Sequence, residues 1–279
     1  VLAKGGSGSG TFDSDFYHDE RNGGSGGRAG DGGVSVVSVG SPVYLSTAGK
    51  QSPGIQARLE GGSGGGGGQY NGGLLGVGFS NAGDVGRGGD TGSLTVNLSG
   101  AASTPITITT SGDDSPGVYA VLQGGPGGVG GGLNNNLGDA RPGHGGAGGR
   151  TGSIDIGLAS TSISTQGTNA WGIVAQAKGA AGADGGRGSS TITDGSNEGG
   201  GGATGHVNVT LDSGSSITAR GDHAGGIIAR PPSCEATMEK RGVQGTQAIL
   251  ALSLSERWGP GPSLQRLRAL MVPTTSAAE

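Results

Sequence analysis

The sequence predicts an all-β fold, a parallel β-helix of about four irregular repeats, on three observations. First, a glycine phrase recurs: SPGIQARLEGG around Gly54, SPGVYAVLQGG around Gly117, AWGIVAQAKG around Gly172 and AGGIIAR around Gly226. The gaps are 63, 55 and 54 residues, and self-similarity at such periods marks stacked architectures. Second, a landmark before each phrase keeps the same beat. DGGVSVVSV, TGSLTVNLS, TGSIDIGLA and TGHVNVTLD place Gly32, Gly92, Gly152 and Gly205 at intervals of 60, 60 and 53. Third, short β-branched runs alternate apolar and polar residues in every repeat, as a half-buried strand requires.

The second repeat displays the unit. Its strand candidates are Leu94 to Leu98, Ile106 to Thr109 and Val118 to Leu122, with turn formers at 111–117 between the last two. The third repeat copies them at Ile154-Asp155-Ile156, Ser162-Ile163-Ser164 and Ile173-Val174-Ala175. The fourth has Val207-Asn208-Val209, Ser216-Ile217-Thr218 and Ile227-Ile228-Ala229. Alternation turns Leu, Ile and Val inward and Thr, Ser and Asn outward. One coil cannot cover its own apolar interior, but stacked coils cover one another. The opening VLAKGGSGSG matches the phrase with its glycine missing, which puts a virtual anchor at position 0, 54 residues before Gly54. That reading makes the chain an internal fragment that starts inside a repeat.

Composition agrees with a narrow solenoid. Of 279 residues 69 are glycine, with 3% aromatic and 14% charged, too few large apolar side chains for a compact globule of this length. A disordered low-complexity chain is the competing reading, opposed by the strand pattern. No Gly-X-Y period runs through the chain, which excludes collagen. About 30 residues per repeat, for example 124–149 and 179–202, are glycine-rich and read either as loops projecting from the stack or as further, poorly patterned coils; the length favours mobile excursions on one side of the solenoid. The net charge of −4 brings no basic stripe and argues against nucleic acid or an anionic membrane surface. No apolar run is long enough for a membrane-spanning helix, and no signal peptide is visible.

The pattern stops at Arg230, so the chain divides into repeats over 1–230, with a period of about 54–60, and a non-repeat tail over 231–279. Glycine falls from 65 of the first 230 residues to 4 of the last 49. Residues 246–255 read as a short helix, and Leu264, Leu267 and Met271 keep helical spacing. Two readings of this short, partly helical tail stay open: a capping or linker segment, or out-of-frame translation entered after the fourth phrase.

At the anchors the sequence resembles a known family. Thr109-Thr110-Ser111-Gly112-Asp113-Asp114-Ser115-Pro116-Gly117-Val118-Tyr119-Ala120 is similar to repeats in the passenger regions of large, glycine-rich Gram-negative autotransporters. A weaker copy runs from Thr218 to Gly226. The resemblance spans about residues 1 to 230. It implies a β-helix at the bacterial surface, exported through a C-terminal β-barrel, outer-membrane-associated or extracellular. Adhesion or aggregation, with host or bacterial surface components as partners, follows from the same resemblance.

No residue pattern competes with a structural role, so no catalytic, cofactor or metal residues are assigned. Arg220-Gly221-Asp222 is an RGD tripeptide, yet Gly221-Asp222 falls on the turn held by Gly112-Asp113 and Gly167-Thr168. Asp113, Asp114 and Asp222 could belong to a polysaccharide-cleaving pair of carboxylates. Their equivalents read as Thr168-Asn169 and Gln51-Ser52, which breaks any acidic ladder. GADGGRG at 182–188 is a single faint match to a calcium nonapeptide, which binds ions only in tandem. The glycine runs lack the lysine and helix of a phosphate-binding loop. His18, His144, His206 and His223 have no metal-ligand spacing, and Cys234 has no identifiable base partner. Trp171 and Tyr119 lie near third strands and read as packing residues. Two further function classes remain: a polysaccharide-active β-helix enzyme, and a glycine-rich cell-wall protein of mycobacterial type. The latter favours short tandem glycine triplets over a long period.

Overall fold

A computed structural model describes residues 2–4, 20–22, 25–40, 42–71, 79–134, 139–189, 192–193, 197–212, 214–230 and 236–237. These residues form an all-β, solenoid-like arrangement of parallel strands with no helix among them. His18, Cys234 and the helical segment expected at 246–271 lie outside the described residues.

Three ladders build the apolar interior. The anchor ladder stacks Leu2–Lys4, Ile55–Glu60, Val118–Gln123, Ile173–Lys178 and Ile227–Arg230. The second ladder stacks Ser35–Gly40, Leu94–Ser99, Ile154–Ala159 and Val207–Leu211. The third stacks Tyr44–Thr47, Ile106–Thr110, Thr161–Thr165 and Ser216–Ala219. Inward positions alternate as expected: Leu94, Val96, Ile106, Ile108, Val118, Ala120, Ile154, Ile163 and Ile173 are fully buried. Each large aliphatic side chain so enclosed contributes about 1.5–3 kcal/mol. Coils differ in length, yet register is kept: Val118 pairs with Ile55 on one side and Ile173 on the other, and Ile227 with Ile173.

Two expected registers shift. Ser35 pairs with Leu94, so Gly33, not Gly32, is the equivalent of Gly92. A one-residue slip exchanges the faces of a strand. Here it turns Val37 and Val39 inward and leaves Val36 60% exposed. Leu2 pairs with Arg58, so the opening phrase sits two residues later in the coil than a virtual anchor at 0 implies. Lys4 pairs with Glu60, the residue before Gly61.

The glycine-rich stretches are not mobile loops. Each coil leaves its anchor strand by an outgoing run (61–69, 124–132, 179–187), passes short distal strands and comes back by a returning run (25–33, 84–92, 144–152, 197–205). The distal strands pair in their own parallel ladders, such as Glu20–Asn22, Phe79–Asn81, Asp139–Arg141 and Ile192–Thr193. Within the runs every third amide bonds to the equivalent run of the next coil: Gly61 to Gln123 O, Gly64 to Pro126 O and Gly67 to Val129 O, at 2.9–3.0 Å. The next amide of each triplet crosses to the opposite, antiparallel layer. Gly62 donates to Gly30 O, Gly86 to Gly65 O, Gly125 to Gly89 O and Gly149 to Gly125 O. A period of three with bonds between runs rather than within them is the polyproline II helix. The runs therefore form a two-layer slab fused to the apolar prism, each run about 28 Å long at the polyproline II rise of about 3.1 Å per residue.

The slab explains the glycine. A Cβ on Gly61 would stand 2.0 Å from Gly89 O, on Gly125 1.7 Å from Gly62 O, and on Gly128 2.0 Å from Gly65 O. Such contacts are backbone against backbone, and no side chain can move aside. Only one position in three faces solvent, where Ser63, Pro126, Val129, Asp184 and Arg187 stand in the outgoing runs. A local Gly-Gly-x period thus exists within each coil, although no such period runs through the chain.

This packing predicts a sharp contrast between neighbouring glycines. Gly125→Ala should destabilise the fold by about 1–3 kcal/mol through overpacking. Gly66→Ala, whose Cβ meets nothing closer than 3.6 Å, should leave the thermal midpoint nearly unchanged. Thermal denaturation followed by circular dichroism distinguishes the two; equal losses would contradict the slab.

Candidate functional site

The turn between the third and anchor ladders holds most of the chemically active residues singled out in the sequence. Gln51, Asp114, Asn169 and His223 occupy equivalent places and all have left-handed backbone, with φ of 55°, 52°, 54° and 56°. Asn, Asp and His tolerate that region better than most side chains. The Gln51 amide donates to Asp113 O at 2.9 Å and the Ser52 amide to the Ser115 hydroxyl at 3.0 Å. Lys50-Gln51, rather than Gln51-Ser52, therefore stands opposite Asp113-Asp114. The acidic pair is still not repeated along the axis.

The two carboxylates Asp113 and Asp114 in this turn bind groups of neighbouring coils. Asp113 accepts the Thr168 amide of the next coil at 2.8 Å. Asp114 accepts from the Asn169 side-chain amide at 3.3 Å and lies 3.8 Å from Lys50 Nζ. Asp222 follows Gly221, which has φ of 150° and packs on Gly167 O. The RGD tripeptide is thus the fourth copy of the turn, with all three residues exposed. In the first three turns a buried or half-buried threonine closes the loop from beneath. Thr47, Thr110 and Thr165 donate to the carbonyls of Ser52, Ser115 and Ala170 at 2.6, 2.6 and 2.8 Å. The fourth coil has Ala219 in that place. A threonine recurring at the anchor spacing was the available sequence signal, hidden because Thr is common in all these strands.

A second set lies on the returning runs. Asp31 Oδ1 accepts the Asp90 amide at 2.9 Å, and Asp90 Oδ1 the Arg150 amide at 2.6 Å. Arg28 and Arg87 pair with the same two aspartates three residues on, one polyproline turn away. The R-x-x-D spacing at 28–31 and 87–90 carried this signal. Asp184 of GADGGRG lies in an outgoing run, where its carbonyl accepts the Gly130 amide at 3.0 Å. His206 is exposed before the second ladder. Trp171 lies over Gly225, whose Cβ would meet the indole at 2.2 Å. Tyr119, half-buried, pairs with Gln56 and Val174 in register.

One open cleft of about 510 Å³ lies where distal strands meet returning runs, lined by Ser25, Asn81, Asp84, Arg141 and His144. His144 Nδ1 accepts the Asn197 amide at 3.1 Å. Its walls carry one carboxylate, Asp84, and hence no paired carboxylates of the kind glycoside cleavage uses. Among the described residues no group of three His, Cys, Asp or Glu side chains could hold a metal ion. No helix among them is long and apolar enough to cross a membrane. No family model, curated protein or solved structure matches this chain.

Among the described residues, Asp212 is the carboxyl with a clear shift. Hydrogen bonds from the Ser215 hydroxyl, then from the Ser160 and Gly214 amides, hold its pKa below the usual value. A lowered folded pKa makes its contribution fully present above the unfolded value and lost as pH falls through the folded one. Because Asp212 is almost wholly exposed, the effect is small. Asp212→Asn should flatten the acid limb of a stability–pH curve below the ordinary carboxylate range and leave the neutral side with a uniform loss.

Thr110→Val should cost about 1–3 kcal/mol, because the buried Ser115 carbonyl loses its donor. Ser111→Ala, on the exposed side of the same turn, should change stability by less than about 0.5 kcal/mol. Chemical denaturation of both variants measures the difference.

Proposed function

We propose that this chain is a parallel β-helix of about four repeats that acts as a non-enzymatic, surface-displayed stalk. Its resemblance is to the passenger regions of Gram-negative autotransporters, and adhesion or aggregation is the expected role. The observation that carries the reading is the use of the polar residues. Asp31, Asp90, Asp113 and Asp212 each accept a backbone amide of a neighbouring coil. Such groups serve the winding of the chain rather than a reacting substrate. A polysaccharide-cleaving role for Asp113 and Asp114 is correspondingly disfavoured, since removing either would loosen a turn before it removed an activity.

A glycine-rich cell-wall protein is the second reading. The Gly-Gly-x triplets of the outgoing runs favour it, because a short triplet period and the long repeat occur together in each coil. Both readings put the protein outside the cell and give it a mechanical task. They differ in how it is anchored.

Fused between a signal peptide and an outer-membrane barrel, the chain should reach the surface of a Gram-negative host. It should become accessible to added antibody and make the cells settle faster. Surface exposure without settling would remove the aggregation role; retention in the periplasm would count against the passenger reading.

A further inference from the structure

We propose that the open cleft beside Asp84 is a saccharide-binding site, which holds a neutral glycan by its hydroxyls and does not cleave it. The returning runs show how the site arises. On their outer face a side chain of one coil caps the amide of the residue stacked on it in the next. Asp31 accepts the Asp90 amide at 2.9 Å, Asp90 the Arg150 amide at 2.6 Å and His144 the Asn197 amide at 3.1 Å. Asp84 stands to His144 as Asp90 stands to Arg150, because Asn81 pairs with Arg141 in register. Yet the His144 amide is left uncapped. Among the described residues the Asp84 carboxylate has no hydrogen bond or ion pair.

The backbone parts at the same place. Between these two runs the amides of Ala82, Gly88 and Thr91 donate to the carbonyls of Arg141, Ala147 and Arg150. The bond that belongs among them, from the Val85 amide to His144 O, is not made. A carboxylate, the amides of Val85 and His144 and the His144 carbonyl are thus left open beside one cleft of about 510 Å³. That volume lies within the range of small-ligand sites.

These groups call for a ligand that donates and accepts side by side. A carboxylate only accepts and an amide N–H only donates. A hydroxyl does both, so a vicinal pair can give a proton to Asp84 and accept one from a neighbouring amide. His144 adds a donor: with Nδ1 accepting, the neutral ring carries its proton on Nε2. Ser25 adds a hydroxyl, and Asn81 and Arg141 also line the cleft, each already engaged. The Asp84 carboxylate disfavours an anion. A peptide strand would need a continuous open edge, whereas the bonds from Ala82 and Gly88 close this gap on both sides. Sugar units linked along the axis would repeat at nearly the rung spacing of about 4.8 Å, meeting Ser25, Asp84 and His144 in turn. Asp84 has no second carboxylate in these walls to work with, so the glycan leaves uncut. The cleft belongs to the coil stack itself, and the inference stands apart from surface display.

Amide NMR of the isotope-labelled full chain, titrated with glucan, mannan and xylan tetrasaccharides, tests the site. At least one sugar should give saturable shifts at Asp84, Val85 and His144 and be recovered intact. Asp84→Ala should weaken that binding about tenfold or more, as loss of one hydrogen bond to a charged group does. Its circular dichroism should not change, since the carboxylate holds no part of the fold. Asp84→Asn keeps the side-chain shape and should weaken binding as well if Asp84→Ala melts. Asp184→Ala, on the outer row of the opposite layer, should bind as the unaltered chain does. No shift with any of these sugars, shifts confined to other residues, or full affinity in both Asp84 variants would each overturn the site. Tighter binding of trigalacturonate or of tetra-alanine would overturn the neutral glycan in favour of an anion or a peptide, and a cut sugar would overturn binding without cleavage.

Discussion

The structure depends on one constraint: in the glycine slab, two positions in every three are held mostly by glycine, with Ala29, Thr91, Thr151, Ala180 and Ala183 among the exceptions. Each run there is hydrogen-bonded both to its neighbour in the same layer and to the opposite layer. Backbones approach so closely that a Cβ at Gly61, Gly125 or Gly149 would lie 2.0 Å or less from a carbonyl oxygen. Buried amides and carbonyls must be paired, and here they are paired without a single strand. The rest of the coil follows from holding those runs in register. The ladders at both ends of each run fix where it starts and where it returns.

The prism and the slab use different physics. In the prism, Leu94, Ile106, Ile154 and Ile173 exclude water, and the backbone bonds come with the packing. In the slab there is almost no side chain to bury, and order rests on the backbone bonds. A net hydrogen bond is worth about 1 kcal/mol. Fixing one residue's backbone costs about 1–2 kcal/mol, with glycine at the upper end. Two donated bonds per triplet do not offset three fixed residues, so the slab requires a template. Ile55–Glu60 before a run and Leu94–Ser99 after its return supply it.

The prism was legible in the sequence for a physical reason. Period-two alternation in LTVNL, IDIGL and VNVTL reports directly which side chains leave water, and the anchor spacing holds the phase. The slab was harder to read. Its information lies in which residues are absent, and a glycine-rich run looks the same whether it is packed or loose. The discriminating detail is where the larger exceptions fall: Ser63, Pro126, Val129, Asp184 and Arg187 take the solvent-facing third place of the outgoing runs, whereas the inward exceptions there are the small Ala180 and Ala183. The first coil was misread by one residue because DGGVSVV offers two adjacent glycines, and only pairing of Ser35 with Leu94 selects between them. The turn residues were placed correctly at Gly112, Gly167 and Gly221, but the threonines beneath them were lost among many others.

The division of labour also bears on where function can reside. A position that faces the prism is constrained by volume, and one that faces the slab interior by the absence of volume. What remains free to vary is the outer row of each run, the outward face of each strand and the turn. Those are the places where charge is found: Arg28 and Asp31, Arg87 and Asp90, Lys50 and Asp114. Even there, several charged groups are tied to the backbone of an adjacent coil, so charge is partly absorbed by winding. A binding specificity on this scaffold would therefore be written in rows along the axis, one residue per coil. Ser25, Asp84, His144 and Asn197 form such a row on the returning runs, and three of these four residues border the open cleft. The row changes residue type at every coil, so neighbouring coils offer different chemistry on an unchanged backbone.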